Sequence, residues 1–302
     1  MIAPNGWIIL DKPLGLGSTQ AVAAVKRNLR EAGFGKKVKV GHGGTLDPLA
    51  SGVLPIAVGE ATKLCGRMLD ASKRYAFTVA FGAETDTLDL EGKVIAESPV
   101  RPSSDDVATV LARFTGPIEQ VPPAYSALMI DGARAYDRAR AGEAFEIKSR
   151  AVTVYALTIE AVDADSATLV AHVSKGTYIR SLARDIAHAL GTVGHVTMLR
   201  RLQAGPFGLD QAISLDNLNE IGKGAPLENI LLPLEAGLVD IPALNLSPEQ
   251  ARAVRQGRVL TGLPQDDGLY WARSGSTPLA LIELSGGDAH VVRGFNLPDV
   301  AE

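Results

Sequence analysis

The amino-acid sequence predicts an α+β fold. Segments with strand patterns and segments with helix patterns are mixed along its 302 residues, but they do not alternate as regular β-α-β units do. Large and small side chains alternate strictly over 75–81, which indicates a strand with one apolar face. Apolar residues recur at helical spacing over 177–190 and end at Gly191. Both patterns are typical of helices packed on a mixed sheet rather than of a doubly wound parallel sheet.

Most of the other predicted elements lie in the first 215 residues. Ser18 is expected to cap a helix whose apolar residues recur at helical spacing, and Gly33 is expected to end it. A second amphipathic helix spans 104–114, with acidic residues in its first turn. The remaining elements are a strand at 7–10, a glycine-rich turn at 41–44, a buried strand at 53–59, a helix at 60–70, strands near 125–130, 152–161, 167–173 and 195–202, and a short helix within 133–142.

The chain length predicts about two domains. Periodicity is weak over 216–246, so we expect a larger domain at 1–240 and a smaller one at 241–302. The smaller one should begin with a helix that Ser247 caps, where Gln250 completes a capping box. Its strands are predicted near 268–273, 278–284 and 289–295.

Composition indicates a globular protein of the cytoplasm. The sequence is 46% hydrophobic and 21% charged, and no apolar run approaches the ~20 residues of a membrane span. The first residues lack the pattern of a secretion signal. Cys65 is the single cysteine, which excludes an internal disulfide, and no Cys/His cluster has zinc spacing.

Basic residues are concentrated in two groups, although the net charge is −4. One group lies within 26–39, and the other comprises Lys175, Arg180, Arg184, Arg200 and Arg201. A solvated surface explains such groups adequately. A basic cleft that attracts a polyanion is the alternative, because the local field rather than the net charge steers a charged partner.

The stretch GHGGTLDPLASG at 41–52 places Asp47 between a glycine-rich turn and a proline. Its simplest interpretation is a helix start, with Asp47 as the cap and Pro48 at the first helical position. A phosphate-binding loop is a weak alternative, because no GxxxxGK[ST] or GxGxxG motif is present. A catalytic carboxylate is the third interpretation.

Six segments taken together resemble the TruB family of tRNA pseudouridine synthases, over roughly residues 7–240. In chain order they are DKPLGLGS, GHGGTLDPLASGVLPIAVGEATK, KRYAFTVAFGAETDTLDLEG, VPPAYSALMIDGARAYDRARAG, SKGTYIRSLARDIAHALG and HVTMLRRLQAGPF. The resemblance implies a pseudouridine-synthase-type fold, with a mixed, largely antiparallel sheet and flanking helices. It also implies a PUA-like C-terminal module, although five Arg against seven Asp/Glu after residue 240 suit RNA poorly.

The implied activity is isomerisation of a uridine in the T-loop of tRNA, at position 55, to pseudouridine. Asp47 is then the nucleophile, since a carboxylate is ionised at neutral pH and needs no activating base. Arg180 matches the arginine that pairs with this aspartate and keeps it ionised in a closed pocket. Tyr75 matches the tyrosine that stacks on the target base, with a hydroxyl that can assist removal of the C5 proton.

The resemblance also implies contacts to RNA. Tyr178 and Leu199 would shape the uracil pocket, although core packing explains Leu199 almost as well. His42 would take the place of the displaced bases in the RNA loop, as an extruded base requires. Asp89 would contact that loop, with turn capping as its alternative. Predicted phosphate contacts are Lys12, Lys63, Lys175, Arg200 and Arg201.

The reaction involves no redox step or group transfer, so we expect no cofactor and no metal. The expected partner is the T-arm of tRNA, and we expect a monomer with no obligate protein partner and no membrane attachment. Two alternatives stay open: a subunit of a guide-RNA-directed pseudouridine synthase, and a non-catalytic protein that binds or folds tRNA.

Overall fold

One large sheet dominates the computed structural model, which describes residues 3–297. The first thirteen strands are β1 (Gly6–Lys12), β2 (Val40–His42), β3 (Ala50–Val58), β4 (Lys73–Phe81), β5 (Ala83–Thr85), β6 (Val94–Glu97), β7 (Gly116–Gln120), β8 (Met129–Ile130), β9 (Ala133–Arg134), β10 (Arg150–Val162), β11 (Ser166–Val173), β12 (Gly194–Ala204) and β13 (Phe207–Gly208). Nine of them form one sheet in the order β1-β3-β12-β4-β11-β10-β7, with β2 on β3 and β13 on β12. Its pairs are antiparallel except β3 with β12, which confirms the predicted mixed, largely antiparallel sheet.

Helices cover this sheet as predicted. They are α1 (Ser18–Glu31), α2 (Cys65–Asp70), α3 (Ser104–Leu111), α4 (Ala135–Arg140), α5 (Ile179–Ala189), α6 (Leu215–Gly222) and α7 (Pro248–Arg255), with 3₁₀ turns at Gly59–Leu64, Ala112–Phe114, Leu209–Gln211, Leu227–Asn229 and Leu234–Gly237. The alternating residues of β4 share one face and pack with α3 and α5, where Phe77, Val107 and Leu182 are fully buried. Helices α1 and α6 pack against β1 and β3 around Val25 and Leu218.

The strand register brings distant parts of the chain together at one place in the sheet. Leu199 of β12 lies between Ala50 of β3 and Phe77 of β4. Two residues further along β12, Arg201 lies between Gly52 and Tyr75. The parallel approach of β3 to β12 depends on Gly52, because a Cβ there would lie 2.2 Å from the carbonyl oxygen of Arg201, at a φ of +101°. Since β3 begins three residues after Asp47, this register places Asp47 beside Tyr75 and Leu199.

Three sequence predictions about local structure were wrong. Asp47 does not start a helix: Pro48 and Leu49 form a turn that leads into β3, which the register of the sheet requires. Ser18 is the first residue of α1 rather than its cap, because its hydroxyl bonds the backbone of Leu46 instead. Only the last two residues of the strand predicted at 125–130 are extended.

The C-terminal residues form a separate small sheet. Its strands are β14 (Ala243–Asn245), β15 (Gly268–Ser274), β16 (Thr277–Ser285) and β17 (Asp288–Gly294), with β14 parallel to β15 and the others antiparallel. Ser247 accepts a hydrogen bond from Gln250 N, which confirms the predicted capping box of α7.

The small sheet also packs on the rest of the chain. Leu281 and Phe295 belong to the same buried cluster as Trp7 of β1. The division into domains at 1–240 and 241–302, and the PUA-like character of the second, therefore stay predictions. No helix between residues 3 and 297 combines the length and the apolar character that a membrane crossing needs. A cytoplasmic location stays a prediction.

Candidate active site

The loop that carries Asp47 is fixed by Ser18, although the two residues are far apart in sequence. The Ser18 hydroxyl donates a hydrogen bond of 2.9 Å to the carbonyl oxygen of Leu46 and accepts one of 2.8 Å from the Leu46 N–H. The Asp47 carbonyl oxygen in turn accepts a hydrogen bond of 3.0 Å from the N–H of Ala50. These contacts hold the backbone on both sides of Asp47, while 46% of its side chain is exposed.

Arg180 is the partner of the Asp47 carboxylate, as predicted from the sequence. It lies in the first turn of α5 and is 7% exposed. Its Nη2 atom lies 3.0 Å from Asp47 Oδ2 and donates to the Tyr125 carbonyl oxygen at 2.9 Å. Its Nη1 atom donates to the Thr87 carbonyl oxygen at 2.7 Å and lies 3.4 Å from Asp89 Oδ2. The two carbonyl contacts fix the guanidinium plane, so Arg180 presents one edge to Asp47.

Asp89 is buried and engaged inside the protein. Its Oδ1 atom accepts hydrogen bonds from the Thr87 hydroxyl at 2.5 Å and from the Glu91 N–H at 3.0 Å, so it does cap the turn that contains it. Leu88 in this turn has a φ of +63°, a conformation that few non-glycine residues adopt. The same turn aims the Thr87 carbonyl oxygen at Arg180. Contact of Asp89 with RNA stays a prediction.

A cavity of about 460 Å³ adjoins the Asp47–Arg180 pair, and Tyr75, Tyr178 and Leu199 all contribute to its wall. Tyr75 is partly exposed and packs against two core clusters that adjoin on the same face of the sheet. The structure therefore brings together the predicted nucleophile, its arginine and the three predicted base-pocket residues. Leu199 also packs in the core, so both of its predicted roles are compatible with its position.

Tyr178 is positioned by Gln120, which the sequence reasoning missed. The Gln120 amide donates to the Tyr178 carbonyl oxygen at 3.1 Å and accepts from the Tyr178 N–H at 2.8 Å. Gln120 is 1% exposed, so both contacts are shielded from water. The guanidinium of Arg150 lies over the Tyr178 ring, 4.8 Å from its centroid. Since Tyr178 precedes α5 directly, Gln120 also fixes the start of the helix that carries Arg180.

A second cavity, of about 720 Å³, lies on the other side of the same pair. Asp47 and Arg180 belong to the wall of both cavities. The rest of the second wall comes from the turn at 86–93 and the segment at 125–140. Ser126 also borders both cavities, and its buried hydroxyl has no hydrogen-bond partner within residues 3–297. The Asp47 carboxylate thus lies at the boundary between two spaces of nucleotide size.

His42 lies at the start of the Asp47 loop, on β2, and is partly exposed. Its Nδ1 atom accepts a hydrogen bond of 3.4 Å from the N–H of Gly44. Burial lowers the pKa of His42, and the charge of Arg201 acts in the same direction. The imidazole is therefore neutral at neutral pH. Its predicted entry into an RNA loop stays a prediction.

Two predicted phosphate contacts were wrong. Lys12 is 0% exposed and Arg201 is 1% exposed, so neither can reach a phosphate at the surface. The Lys12 ammonium donates to the carbonyl oxygens of Pro13, Leu16 and Pro48 at 3.0, 2.5 and 3.4 Å. Burial lowers the pKa of Lys12 to about 8, although the charge of Asp47 opposes this shift.

Arg201 is the counterpart of Lys12 on the other side of the loop. Its guanidinium donates to the carbonyl oxygens of Val53, Thr45 and Gly44 at 2.7, 3.3 and 3.0 Å. Both buried cations therefore bind the backbone around Asp47 rather than RNA. Their hydrogen bonds replace the water that a buried charge loses.

The other three predicted phosphate contacts keep part of their surface. Lys175 is the most exposed of them and pairs with Asp70 at 2.9 Å. Lys63 lies against the C-terminal sheet, where it donates to the Gly294 carbonyl oxygen at 2.8 Å. Arg200 pairs with Asp11 at 2.8 Å. Because side chains alternate along a strand, Arg200 points to the face opposite that of Leu199 and Arg201. Contacts of these three with phosphate stay predictions.

Comparison with known proteins identifies the family. The profile of the TruB family pseudouridylate synthase N-terminal domain matches residues 30–179, and that of the tRNA pseudouridylate synthase B C-terminal domain matches 180–239. The junction of the two falls at the start of α5, inside the continuous packing described above.

Similar proteins extend the match to nearly the whole chain. A tRNA pseudouridine synthase B of Novosphingobium aromaticivorans is 74% identical, over 99% of each chain. One of Zymomonas mobilis subsp. mobilis is 60% identical, over 97% of each chain. Among solved structures, a chain of an H/ACA RNP bound to a substrate RNA containing 2′-deoxyuridine superposes with a TM-score of 0.74 at 25% identity, covering 97% of this chain and 85% of that one. The chain belongs to the TruB family of pseudouridylate synthases.

Proposed function

We propose that this enzyme converts the uridine at position 55, in the T-loop of tRNA, to pseudouridine, with Asp47 as the nucleophile. The observation that carries the proposal is the half-exposed Asp47 carboxylate, held by the buried Arg180 at 3.0 Å on the boundary between two cavities. The relatives that match nearly the full chain are named tRNA pseudouridine synthase B, which supports tRNA as the substrate.

The chemistry requires only groups that lie at this site. The C1′–N1 bond of the uridine breaks, the base turns, a C1′–C5 bond forms, N1 gains a proton and the C5 proton passes to water. Oδ2 of Asp47 is bonded to Arg180, and within residues 3–297 its Oδ1 atom has no hydrogen-bond partner. Oδ1 is therefore the oxygen available for attack, whether the path runs through C1′, C6 or a glycal intermediate.

Arg180, 3.0 Å from this carboxylate, offsets its negative charge after the base has expelled water from the cavity. A guanidinium close to a carboxylate stabilises the charged form, and the effect grows as the site becomes less polar. Tyr75 supplies a ring on which the uracil can stack and a hydroxyl that can assist removal of the C5 proton. Tyr178 and Leu199 contribute to the wall of this cavity of about 460 Å³.

The target base must leave the folded RNA loop to reach Asp47. Extrusion of a base costs a few kcal/mol, which stacking in the pocket and filling of the vacated space offset. Tyr75 provides the stacking, and His42 at the start of the Asp47 loop fills the space. A neutral imidazole suits this role, because an apolar or neutral ring stacks between bases without a desolvated charge.

Release of tritium tests the proposal directly, since isomerisation replaces the C5–H bond of uracil. Transcripts of tRNA with tritium at uracil C5 should release about one equivalent to water with the wild type and none with Asp47→Asn. Asp240→Asn is the matched control, because Asp240 is 65% exposed and pairs with Arg67 at the surface. A transcript with cytidine at position 55 should release none. Release from that transcript would contradict the T-loop site.

The same assay separates the two alternatives. A protein that only binds tRNA would release no tritium while both the wild type and Asp47→Asn still bind the transcript. A subunit of a guide-RNA-directed synthase would release tritium only after partner proteins and a guide are added. Release by the purified chain alone, with chelator present, would exclude both alternatives and a metal requirement.

A further inference from the structure

A basic groove runs along α1 and meets the loop that carries Asp47. Its volume is about 800 Å³, and its wall includes Leu16, Gln20, Lys26, Arg27 and Arg30. Gln20, Arg27 and Arg30 lie on one face of α1, because their spacing of seven and three residues follows the helical repeat. The groove thus follows the helix rather than crossing it.

The groove ends next to the loop of the candidate active site. Gly15, at one end of the groove, donates a hydrogen bond of 2.8 Å to the carbonyl oxygen of Pro48, the residue after Asp47. Ser18, the first residue of α1, bonds both backbone polar groups of Leu46. One end of the groove therefore lies next to the backbone of the Asp47 loop.

The cations of the groove are available to a ligand. Lys26, Arg27 and Arg30 are all exposed, and none forms a salt bridge within the described part of the chain. Arg27 donates only to the neutral Asn219, at 3.1 Å. The following loop adds Lys36, Lys37 and Lys39, which are also exposed. Unpaired and exposed cations on one face are what a polyanion requires.

Acidic residues border the groove on the side of α6. Glu31, Asp216 and Glu220 line a neighbouring recess between α1 and α6, to which Arg27 also contributes. Because they repel phosphate, they confine an anionic chain to the side of Lys26 and Arg30. The protein as a whole has a net charge of −4, so this local field decides where such a chain binds.

We propose that the α1 groove binds the phosphate backbone of the RNA strand next to the extruded uridine, which rests on the proposed function. From Ser18 to Arg30 the helix rises about 18 Å, which spans about five phosphates of one strand of a helix. The groove therefore extends the substrate interface beyond the base pocket. It adds affinity and orientation but reads no sequence, since phosphates are the same at every position.

The salt dependence of binding tests this proposal. The double variant Lys26→Ala/Arg30→Ala should bind a fluorescent full-length tRNA more weakly at 0.1 M salt. It should also reduce the slope of log K against log salt by about 1.4–1.8, which corresponds to two lost phosphate contacts. Arg113→Glu is the control with the same change of net charge, because Arg113 is exposed on the 3₁₀ turn after α3. It should leave the slope at the wild-type value.

The outcomes distinguish this proposal from the proposed function. Tritium release by the wild type together with an unchanged slope in the double variant would overturn the groove and leave the enzyme activity intact. If Lys26→Ala/Arg30→Ala and Arg113→Glu reduce the slope by the same amount, the groove proposal is also overturned, because the effect then comes from net charge. If the wild type releases no tritium, the proposed function fails, while the slope still decides whether the groove binds RNA.

Discussion

The guanidinium of Arg201 lies beneath the loop that carries Asp47, with its Nη2 atom 3.0 Å from the Gly44 carbonyl oxygen. The backbone of the same residue is the register partner of Tyr75 on β4 and of Gly52 on β3. One buried residue therefore joins the predicted nucleophile loop to the predicted base-stacking strand. It links Asp47 to Tyr75 and also contributes to the wall of the cavity of about 460 Å³.

Replacement of Arg201 should reduce isomerisation more than binding. Arg201→Lys keeps the charge but loses the planar set of donors, so at least two of the three carbonyl contacts are lost. Buried hydrogen bonds to a charged group contribute about 1.5–3 kcal/mol each, so the free energy of unfolding should fall by about 3 kcal/mol. The single-turnover rate of tritium release should fall at least tenfold, while the Kd for tRNA changes less than threefold.

Arg200→Lys is the control for Arg201→Lys. Arg200 is the next residue on β12 but is partly exposed and paired with Asp11, so its replacement should cost about 1 kcal/mol or less. Hydrogen exchange over residues 41–50 gives a second measurement. Faster exchange confined to this loop supports a positioning role, whereas a uniform increase across all strands would show a general loss of stability instead.

Gln120 should matter through Tyr178. Gln120→Leu keeps the volume but leaves the N–H of Tyr178 without a partner, while the Tyr178 carbonyl oxygen keeps the bond of 3.0 Å from the Leu182 N–H. One buried unsatisfied N–H should lower the free energy of unfolding by about 1–3 kcal/mol, as measured by urea denaturation. Because Tyr178 precedes Arg180, the rate of tritium release should fall as well. A variant with wild-type rate and lowered stability would show that Tyr178 does not need this support.

Sequence patterns predicted the reacting groups better than the buried residues that hold them in place. Asp47, Tyr75 and Arg180 lie in motifs whose residue order is distinctive, and the structure brings all three together. Lys12 and Arg201 were predicted at the surface because lysine and arginine are rarely buried without a partner. Their partners are backbone carbonyl oxygens, which every residue carries, so no pattern of side chains in the sequence predicts these contacts.

Contacts to the backbone of distant segments also explain why the roles of Ser18 and Gln120 were missed. Ser18 looked like a helix cap, because serine before an apolar repeat usually is one. Its true partner, Leu46, lies in a loop that only the packing of α1 against β3 brings near. Gln120 gave no signal at all, since a lone glutamine at the end of a strand is common at surfaces. Contacts between distant backbone segments become visible only when the sheet register is known.

Ser18→Ala should separate positioning from stability. The variant loses both hydrogen bonds to Leu46 and should cost about 1–2 kcal/mol of unfolding free energy. Because Leu46 adjoins Asp47, the rate of tritium release should fall by about tenfold. Ser247→Ala is the matched control: it removes the cap of α7, costs about 1 kcal/mol, and should leave the rate unchanged. Equal losses of rate in both variants would contradict the positioning role of Ser18.

Buried Lys12 should make the free energy of unfolding rise with pH under alkaline conditions. Burial lowers the pKa of Lys12 from its ordinary 10.5 to about 8 in the folded protein. Between these two values the unfolded chain binds a proton that the folded chain has lost, so the free energy of unfolding rises with pH in this window. The rise is about 1.4 kcal/mol per pH unit for one lysine. Lys73, whose pKa burial also lowers to about 8, should add a similar rise.

Urea denaturation at pH 7.5 to 10.5 measures this effect. Lys12→Met should remove the contribution of Lys12 and keep that of Lys73. The wild type should therefore gain stability relative to the variant as pH increases from about 8. Lys26→Met is the control, because Lys26 is exposed on α1 and its replacement should give a curve parallel to that of the wild type. Parallel curves for Lys12→Met and the wild type would instead show that the Lys12 ammonium stays protonated across the window. In that case the carbonyl oxygens of Pro13, Leu16 and Pro48 compensate fully for its burial.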